Sequence, residues 1–162
     1  GAEAEAAQVE EGVALKDVSI RDAMLTEFHT LHPLDTLGHA ADLLLAGTQH
    51  DFPIVGEGDH EFKGLLTRSD LLAGLSRGGR EALVADYART EIPCVDSDNP
   101  LSAAVTRLRE AQTPCLQVME RNETVGLLTL ENIGELLMVR AALGQEGDIP
   151  PGPGQRLAQT RN

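Results

Sequence analysis

Apolar residues recur along the chain with two spacings, one typical of helices and one typical of strands. From Leu37 they fall at i, i+3, i+4, i+7 and i+8, which predicts a helix with one buried face. Asp35 or Thr36 is the expected N-cap of this helix. Apolar stretches at 52–55 and 62–66 flank a segment rich in turn residues, and together they predict a β-hairpin.

A further helix is predicted after this hairpin, and the second half of the chain then repeats the order. The helix after the hairpin is expected from about residue 68 to 75, closed by the glycines at 78–79. The predicted elements of the second half are a helix from Leu101, strands over 115–118 and 125–129 joined by a turn at 121–122, and a helix over 131–143.

The segment Gly-Leu-Leu-Thr closes both predicted hairpins, at 64–67 and at 126–129. These two segments are 62 residues apart, whereas the helices that begin at Leu37 and Leu101 are 64 apart. The halves therefore share the order helix, strand, strand, helix, with a loop about two residues shorter in the second. A hairpin alone is marginally stable, so each unit needs its copy. We expect an α/β (α+β) fold, in which the repeats pack with pseudo-twofold symmetry.

The repeats divide the chain into four parts. We expect a lead-in helix or linker over 1–17, a first repeat over 18–78, a second repeat over 79–143 and a tail rich in Pro and Gly over 144–162. The tail composition is typical of a segment that is mobile in isolation.

The charge and the composition exclude several classes of partner. The formal net charge is −13, and a field of this sign repels phosphate backbones, so nucleic acid is not an expected partner. No apolar run approaches the roughly 18 residues that span a bilayer, and the start lacks the features of a signal peptide. We expect a cytoplasmic chain or the soluble domain of a membrane protein.

Residues that carry catalytic or metal chemistry in other proteins lack the necessary spacing here. Pro33 interrupts any helix on which His29 and His32 could share a face. No third residue has the spacing of a metal ligand to them. Cys94 and Cys115 lack C-x-x-C spacing and are expected as free thiols, although a bridge between them stays open. No Gly-x-Ser-x-Gly elbow is present. We expect no catalytic residue, no metal and no required cofactor.

The two Gly-Leu-Leu-Thr segments, followed by Asp70 in one copy and Asn132 in the other, resemble the signature of the cystathionine-β-synthase (CBS) domain. That signature is Gly, two apolar residues, Ser or Thr, any two residues, then Asp or Asn. Pro53 matches the second strand of the family, and the segment 18–24 resembles its lead-in. The resemblance implies a tandem pair, or Bateman module, whose clefts between the repeats commonly bind adenosine-containing ligands of the AMP, ADP or ATP type.

The resemblance also implies which residues bind the ligand. The Thr and Asp of the first signature hold the ribose and a nearby phosphate, and residues at the strand starts enclose the base. The implied residues of the first cleft are Thr30, Leu31, Phe52, Pro53, Thr67, Arg68 and Asp70, and those of the second are Cys94, Pro114, Cys115, Thr129 and Asn132. Because Asn132 lacks a carboxylate charge, the first cleft is expected to bind more strongly.

Thr67 and Asp70 also have a purely structural interpretation. Thr at an N-cap with an acid three residues later is typical of a capping box, which stabilises a helix without any ligand. A helix N-terminus also attracts anions, so capping and binding are compatible.

A narrower resemblance concerns the segments 21–25 and 131–137, which are similar to the soluble CBS regions of bacterial site-2-type intramembrane zinc metalloproteases. It implies that this chain regulates a membrane-embedded effector and lacks the catalytic part, since His-Glu-x-x-His is absent. The competing hypothesis is a ligand-free module for dimerisation or protein interaction. The final predicted helix, which has more apolar positions than one buried stripe requires, is consistent with a homodimer interface or with complete burial.

Overall fold

The computed structural model describes Leu15, residues 17–57 and residues 62–144. The predicted lead-in helix before residue 15, the tail from 145 on and the hairpin turn at 58–61 lie outside these residues.

The first half of the described chain contains three helices, two strands and one turn of 3₁₀ helix. They are α1 Ile20–Ala23, α2 Leu37–Ala46, β1 Phe52–Val55, β2 Phe62–Leu66, α3 Arg68–Gly78 and the 3₁₀ turn Val84–Asp86. The second half contains β3 Cys94–Asp96, α4 Leu101–Ala111, β4 Cys115–Glu120, β5 Glu123–Thr129 and α5 Leu130–Ala142. This mixed content is the predicted α+β class.

The ends of the elements follow from local residue chemistry. Thr36, rather than Asp35, caps α2, because its hydroxyl accepts a hydrogen bond from the backbone N–H of His39 at 3.1 Å. The predicted turn between β4 and β5 is confirmed. Arg121 and Asn122 have φ of 52° and 65°, the left-handed pair that a tight antiparallel hairpin requires. The first strand of each hairpin keeps the 64-residue offset, since Leu31 bridges Ile54 and Val95 pairs with Val118, so the predicted shortening falls between the two strands of the hairpin.

The chain divides into two compact units, each with its own hydrophobic core. Unit 2 contains Glu27–Ile92 and Asn122–Thr124, and unit 1 contains the other described residues. The core of unit 2 is centred on Leu37, Phe52 and Leu66. The core of unit 1 includes Leu101, Leu116 and Leu128, which are their counterparts in the second repeat.

The sheet of unit 2 is the β1–β2 hairpin, and the outer edge of each strand carries one isolated β-bridge. β1 and β2 pair antiparallel, with Pro53 opposite Leu65. Leu31 bridges Ile54 in parallel on the outer side of β1, and Arg89 bridges Leu65 antiparallel on the outer side of β2. The N–H and the C=O of Leu65 both bond to Arg89, so Pro53 and Leu65 form a pair without hydrogen bonds between them. A proline, which has no N–H, is therefore tolerated at this position of the strand.

The sheet of unit 1 has the same order. β3 pairs with β4 in parallel, and β4 neighbours β5. The outer side of β5 carries an antiparallel bridge between Leu127 and Leu25. Sequence patterns did not predict β3, whose three residues alternate exposed, buried, exposed.

The two outer bridges show that the repeats exchange the segments with which they begin. We call residues 18–26 the N-terminal lead-in and residues 82–90 the middle lead-in. The N-terminal lead-in begins the first repeat but packs in unit 1, whereas the middle lead-in begins the second repeat but packs in unit 2. Two further bridges follow the same exchange, Ser19 with Pro100 and Thr36 with Leu83.

The glycines of the Gly-Leu-Leu-Thr segments permit this exchange. A Cβ on Gly64 would lie 3.0 Å from the backbone oxygen of Arg89, and one on Gly126 would lie 2.9 Å from that of Leu25 and 2.8 Å from Sδ of Met24. The glycines are therefore required by the close approach of each lead-in.

Complete burial of the last helix, one of the two interpretations of its sequence, is wrong. Ile133 is buried and Leu136 and Leu137 pack partly against the core of unit 1. Met138 is 67 % exposed and Leu143 is 57 % exposed. These two residues and the half-exposed Val139 form what we call the α5 apolar face.

Candidate functional site

The junction between β2 and α3 places a threonine hydroxyl and a carboxylate side by side. Thr67 follows β2 directly, is 3 % exposed and caps α3, since its Oγ1 accepts a hydrogen bond from the N–H of Asp70 at 3.1 Å. The N–H of Arg68, the first of the helix, donates to Oδ1 of Asp51 at 3.3 Å. Two of the helix N–H groups therefore already have acceptors within the chain.

The carboxylate of Asp70 takes part in an ion pair rather than in a complete capping box. Nε of Arg89 donates to Oδ2 of Asp70 at 3.0 Å. The two side chains are 25 % and 43 % exposed, so solvent reaches both. A complete box does form at α1, where Ser19 and Asp22 bond reciprocally. The capping half of the structural interpretation is thus confirmed for Thr67, and the carboxylate bonds elsewhere.

An edge of the unit 2 sheet brings three of the predicted site residues next to this junction. Leu31 donates to the backbone oxygen of Pro53 at 2.9 Å and accepts from Val55 at 2.8 Å. Phe52 is opposite Leu66, the residue before Thr67. The start of β1 therefore lies beside the end of β2.

One glutamine fixes the loop that carries Thr30. Gln49 accepts from the N–H of His29 at 2.7 Å and donates to its backbone oxygen at 2.8 Å. The same amide donates to the backbone oxygen of Asp51 at 2.8 Å. Gln49 thus ties the segment before Leu31 to the segment before β1.

The predicted residues of the first set differ in what they can offer a ligand. Thr30 and Arg68 are exposed, and Asp70 is half-buried. Leu31 is 2 % exposed and Phe52 is fully buried in the core, so their side chains support the edge from inside. The groups that reach solvent are thus polar.

The second set lies in unit 1 and uses different chemistry. Thr129 caps α5 by accepting from the N–H of Asn132 at 3.0 Å, as Thr67 caps α3. The side-chain amide of Asn132 donates to the backbone oxygen of Ala23. Pro114 is half-buried and its backbone oxygen accepts from Leu130 at 3.1 Å.

Neither cysteine of this second set forms a disulfide, and both are thiols, as predicted. Cys94 is exposed at the start of β3, and Cys115 is fully buried. Only Cys94 therefore presents its sulfur at the surface.

Sequence reasoning missed Arg89 and Asp51. The middle lead-in carries no periodic apolar pattern, which is why Arg89 was overlooked. A usable signal was present, because Val84–Asp86 follows the segment at 20–22 at the 64-residue offset of the repeat. Asp51 gave no signal, since its contact with Arg68 depends on the hairpin register.

The described residues contain no group of three His, Cys, Asp or Glu side chains that could hold a metal ion. The segment Asp-His-Glu at residues 59–61 lies outside them. No helix within the described part of the chain is both long and apolar enough to cross a membrane.

Comparison with known proteins identifies the family of both repeats. The model of the CBS domain matches residues 19–77 and again residues 84–138. A curated relative is the CBS domain-containing protein YhcV of Bacillus subtilis (strain 168). It is 26 % identical over 128 residues, which cover 78 % of this chain and 90 % of the relative.

Solved structures share the fold at lower identity. AcuB from Vibrio cholerae has a TM-score of 0.70 at 22 % identity, covering 81 % of this chain and 98 % of its own. The CBS domain of a bacterial CNNM/CorC Mg²⁺ transporter, solved in complex with ATP, has a TM-score of 0.68 at 19 % identity, covering 88 % and 99 %. The CBS pair of MJ0100, solved with 5′-methylthioadenosine and S-adenosyl-L-methionine, has a TM-score of 0.67 at 18 % identity, covering 76 % and 98 %. With both repeats matched in order, the chain belongs to the CBS domain family as a tandem pair, a Bateman module.

Proposed function

We propose that this chain is a non-catalytic regulatory module that binds an adenosine-containing ligand, of the AMP, ADP or ATP type, at the β2–α3 junction of unit 2. The observation that carries the proposal is the partly exposed carboxylate of Asp70, which the capped end of α3 positions beside the buried hydroxyl of Thr67. Charged carboxylates are strong acceptors for ribose hydroxyls. CBS domain proteins are generally regulatory, and two of the structural neighbours were solved with adenosine-containing ligands.

Each predicted residue has a role in this proposal. Thr67 and Asp70 hold the ribose, and Arg68 lies near a phosphate. Thr30, Leu31, Phe52 and Pro53 shape the edge that receives the base. The residues of unit 1, namely Cys94, Pro114, Cys115, Thr129 and Asn132, form a weaker second site, because the Asn132 amide already bonds to Ala23.

A thermal-shift screen against AMP, ADP, ATP, adenosine and S-adenosylmethionine tests the proposal. At a hundredfold excess over Kd, a ligand stabilises the folded state by about 2.7 kcal/mol, which raises the melting temperature measurably. The variant Asp70→Ala is expected to lose this rise while the unliganded protein stays folded.

The matched control is Asp42→Ala. Asp42 also pairs with an arginine at 3.0 Å in unit 2, but it lies on α2, and its partner is Arg80. This variant is expected to keep the full ligand response. If the ligand raises the melting temperature of Asp70→Ala as much as that of Asp42→Ala, the ligand binds away from Asp70.

The alternative function is assembly without a ligand, and the α5 apolar face favours it. Flat melting curves with all five ligands, together with a dimer by light scattering, would support it. Met138→Lys is then expected to give a monomer. Leu45→Lys is the control, since Leu45 is 82 % exposed on α2, and this variant should stay dimeric. A wild-type monomer would contradict the assembly function.

We propose that the regulated effector is a membrane-embedded zinc metalloprotease of the site-2 type on the same full-length chain. The support is the sequence resemblance of the segments 21–25 and 131–137. The sequence of the full-length protein tests this: it should contain His-Glu-x-x-His within a membrane-spanning segment. A full-length chain without that motif contradicts the proposal.

A further inference from the structure

The two repeats place different residues at equivalent positions beside the capped helices. Leu65 bridges Arg89 in unit 2, and Leu127 bridges Leu25 in unit 1, so Arg89 and Leu25 are structural counterparts. At the helix starts the counterparts are Asp70 and Asn132. Unit 2 therefore has a charged pair where unit 1 has a leucine and an amide.

The backbone of Arg89 is fixed by two hydrogen bonds, and only part of the hydrogen-bonding capacity of its side chain is occupied. Its N–H donates to Leu65 at 2.9 Å, and its oxygen accepts from the same residue at 2.8 Å. Nε donates to Asp70, whereas the two terminal nitrogens have no hydrogen bond to any residue the structure describes. The side chain is 43 % exposed. A fixed guanidinium with two open nitrogens can receive the oxygens of an anionic group.

Arg89 balances the local charges at the start of α3. Asp51 and Asp70 contribute two carboxylates at the start of α3, where the guanidinium group of Arg89 pairs with Asp70 and Arg68 is an exposed cationic residue. Without Arg89 the site would be net negative in a chain of net charge −13, and it would repel a phosphate. Arg89 also donates a hydrogen bond to one oxygen of Asp70. The hydroxyls of a bound ribose must then share the Asp70 carboxylate with Arg89.

We infer, resting on the proposed function, that Arg89 determines specificity. It favours adenosine ligands that carry a phosphate next to the ribose over uncharged adenosine. In unit 1 this selection is missing, because Leu25 and Asn132 carry no charge.

Calorimetric titration of the full chain with AMP and with adenosine tests this inference. In Arg89→Leu, which copies the residue of unit 1, AMP is expected to bind more weakly and adenosine equally well or better. The ratio of the two affinities should fall by about tenfold or more, the effect of losing a hydrogen bond to a charged group. Arg89→Lys should retain part of the preference, since it keeps the charge but loses the fork of donors.

The outcomes separate this inference from the proposed function. If wild-type protein binds AMP or adenosine and Arg89→Leu changes both affinities by the same factor, the specificity role is wrong and the proposed function stands. If wild-type protein binds neither, both fail. If Arg89→Leu does not fold, Arg89→Lys and the salt dependence of the wild type decide. The affinity for AMP should fall with added NaCl while that for adenosine does not, and equal dependence overturns the inference.

Discussion

The side-chain amide of Asn132 donates a hydrogen bond to the backbone oxygen of Ala23, a residue 109 positions earlier in the chain. Its counterpart Asp70 accepts from Arg89, which lies 19 positions later. Both contacts tie a helix start to an exchanged lead-in. The chemistry differs because the partners differ: an amide can donate to a carbonyl oxygen, whereas a carboxylate only accepts and needs a cationic donor.

Asn132→Asp is expected to destabilise unit 1 by about 1–3 kcal/mol, because a carboxylate cannot donate to Ala23 and leaves its oxygen without this bond. Urea denaturation measures the loss. The control is Asp70→Asn, where the amide oxygen still accepts from Arg89, and a partly exposed ion pair contributes at most about 1 kcal/mol. Equal losses in the two variants would show that the Asn132 contact has no special role.

Gly126→Ala is expected to destabilise the protein by about 1–3 kcal/mol, since the added methyl group overpacks against the N-terminal lead-in. Gly64→Ala should act in the same direction against Arg89. Gly134→Ala is the control, because an added Cβ there meets nothing within 4 Å inside α5. It should stabilise the helix by about 0.5–1 kcal/mol. Loss of stability at Gly134 as large as at Gly126 would contradict the packing argument.

Thr67→Ala is expected to cost about 1 kcal/mol in the free energy of unfolding without ligand, because α3 loses its cap. Thr67→Ser keeps the hydroxyl and should recover most of this loss. If the serine variant is as unstable as the alanine variant, the buried methyl group of Thr67 matters and the cap does not. Thr129→Ala should show the same cost at α5.

A thiol reagent is expected to modify Cys94 quickly in the native protein and Cys115 only after unfolding. The reason is access, since Cys94 is exposed and Cys115 is fully buried in β4. The number of thiols that react before and after adding denaturant measures this. Prompt reaction of both would contradict the burial of Cys115.

The repeat and its helices could be predicted because their patterns are local. The stripe from Leu101 and the paired Gly-Leu-Leu-Thr segments depend only on neighbouring residues, and α2, α3, α4 and α5 begin within one residue of their predicted starts, whereas α1 was not predicted. The N-cap choice between Asp35 and Thr36 stayed open, because both side chains can cap a helix.

The rest of the candidate site depends on contacts that no local pattern records. Arg89 is assigned to the site by its bridge to Leu65, and Asp51 by its hydrogen bond from the N–H of Arg68. Neither contact can be inferred from neighbouring residues in the sequence. The exposure of Met138 likewise required the packed helix, because the apolar pattern of α5 fits both a buried and an exposed face. Pairing across the fold decided each of these positions.

The exchange of lead-ins sets an order in which the protein can fold during its synthesis. Almost all of unit 2 comes from Glu27–Ile92, so its core is available once the middle lead-in has been made. In unit 1, by contrast, the bridge of Leu25 can form only after Leu127 has been synthesised. Contacts between residues far apart in the chain close slowly. We therefore expect a nascent chain that ends before β5 to contain a folded unit 2 while the N-terminal lead-in still lacks its partner strand.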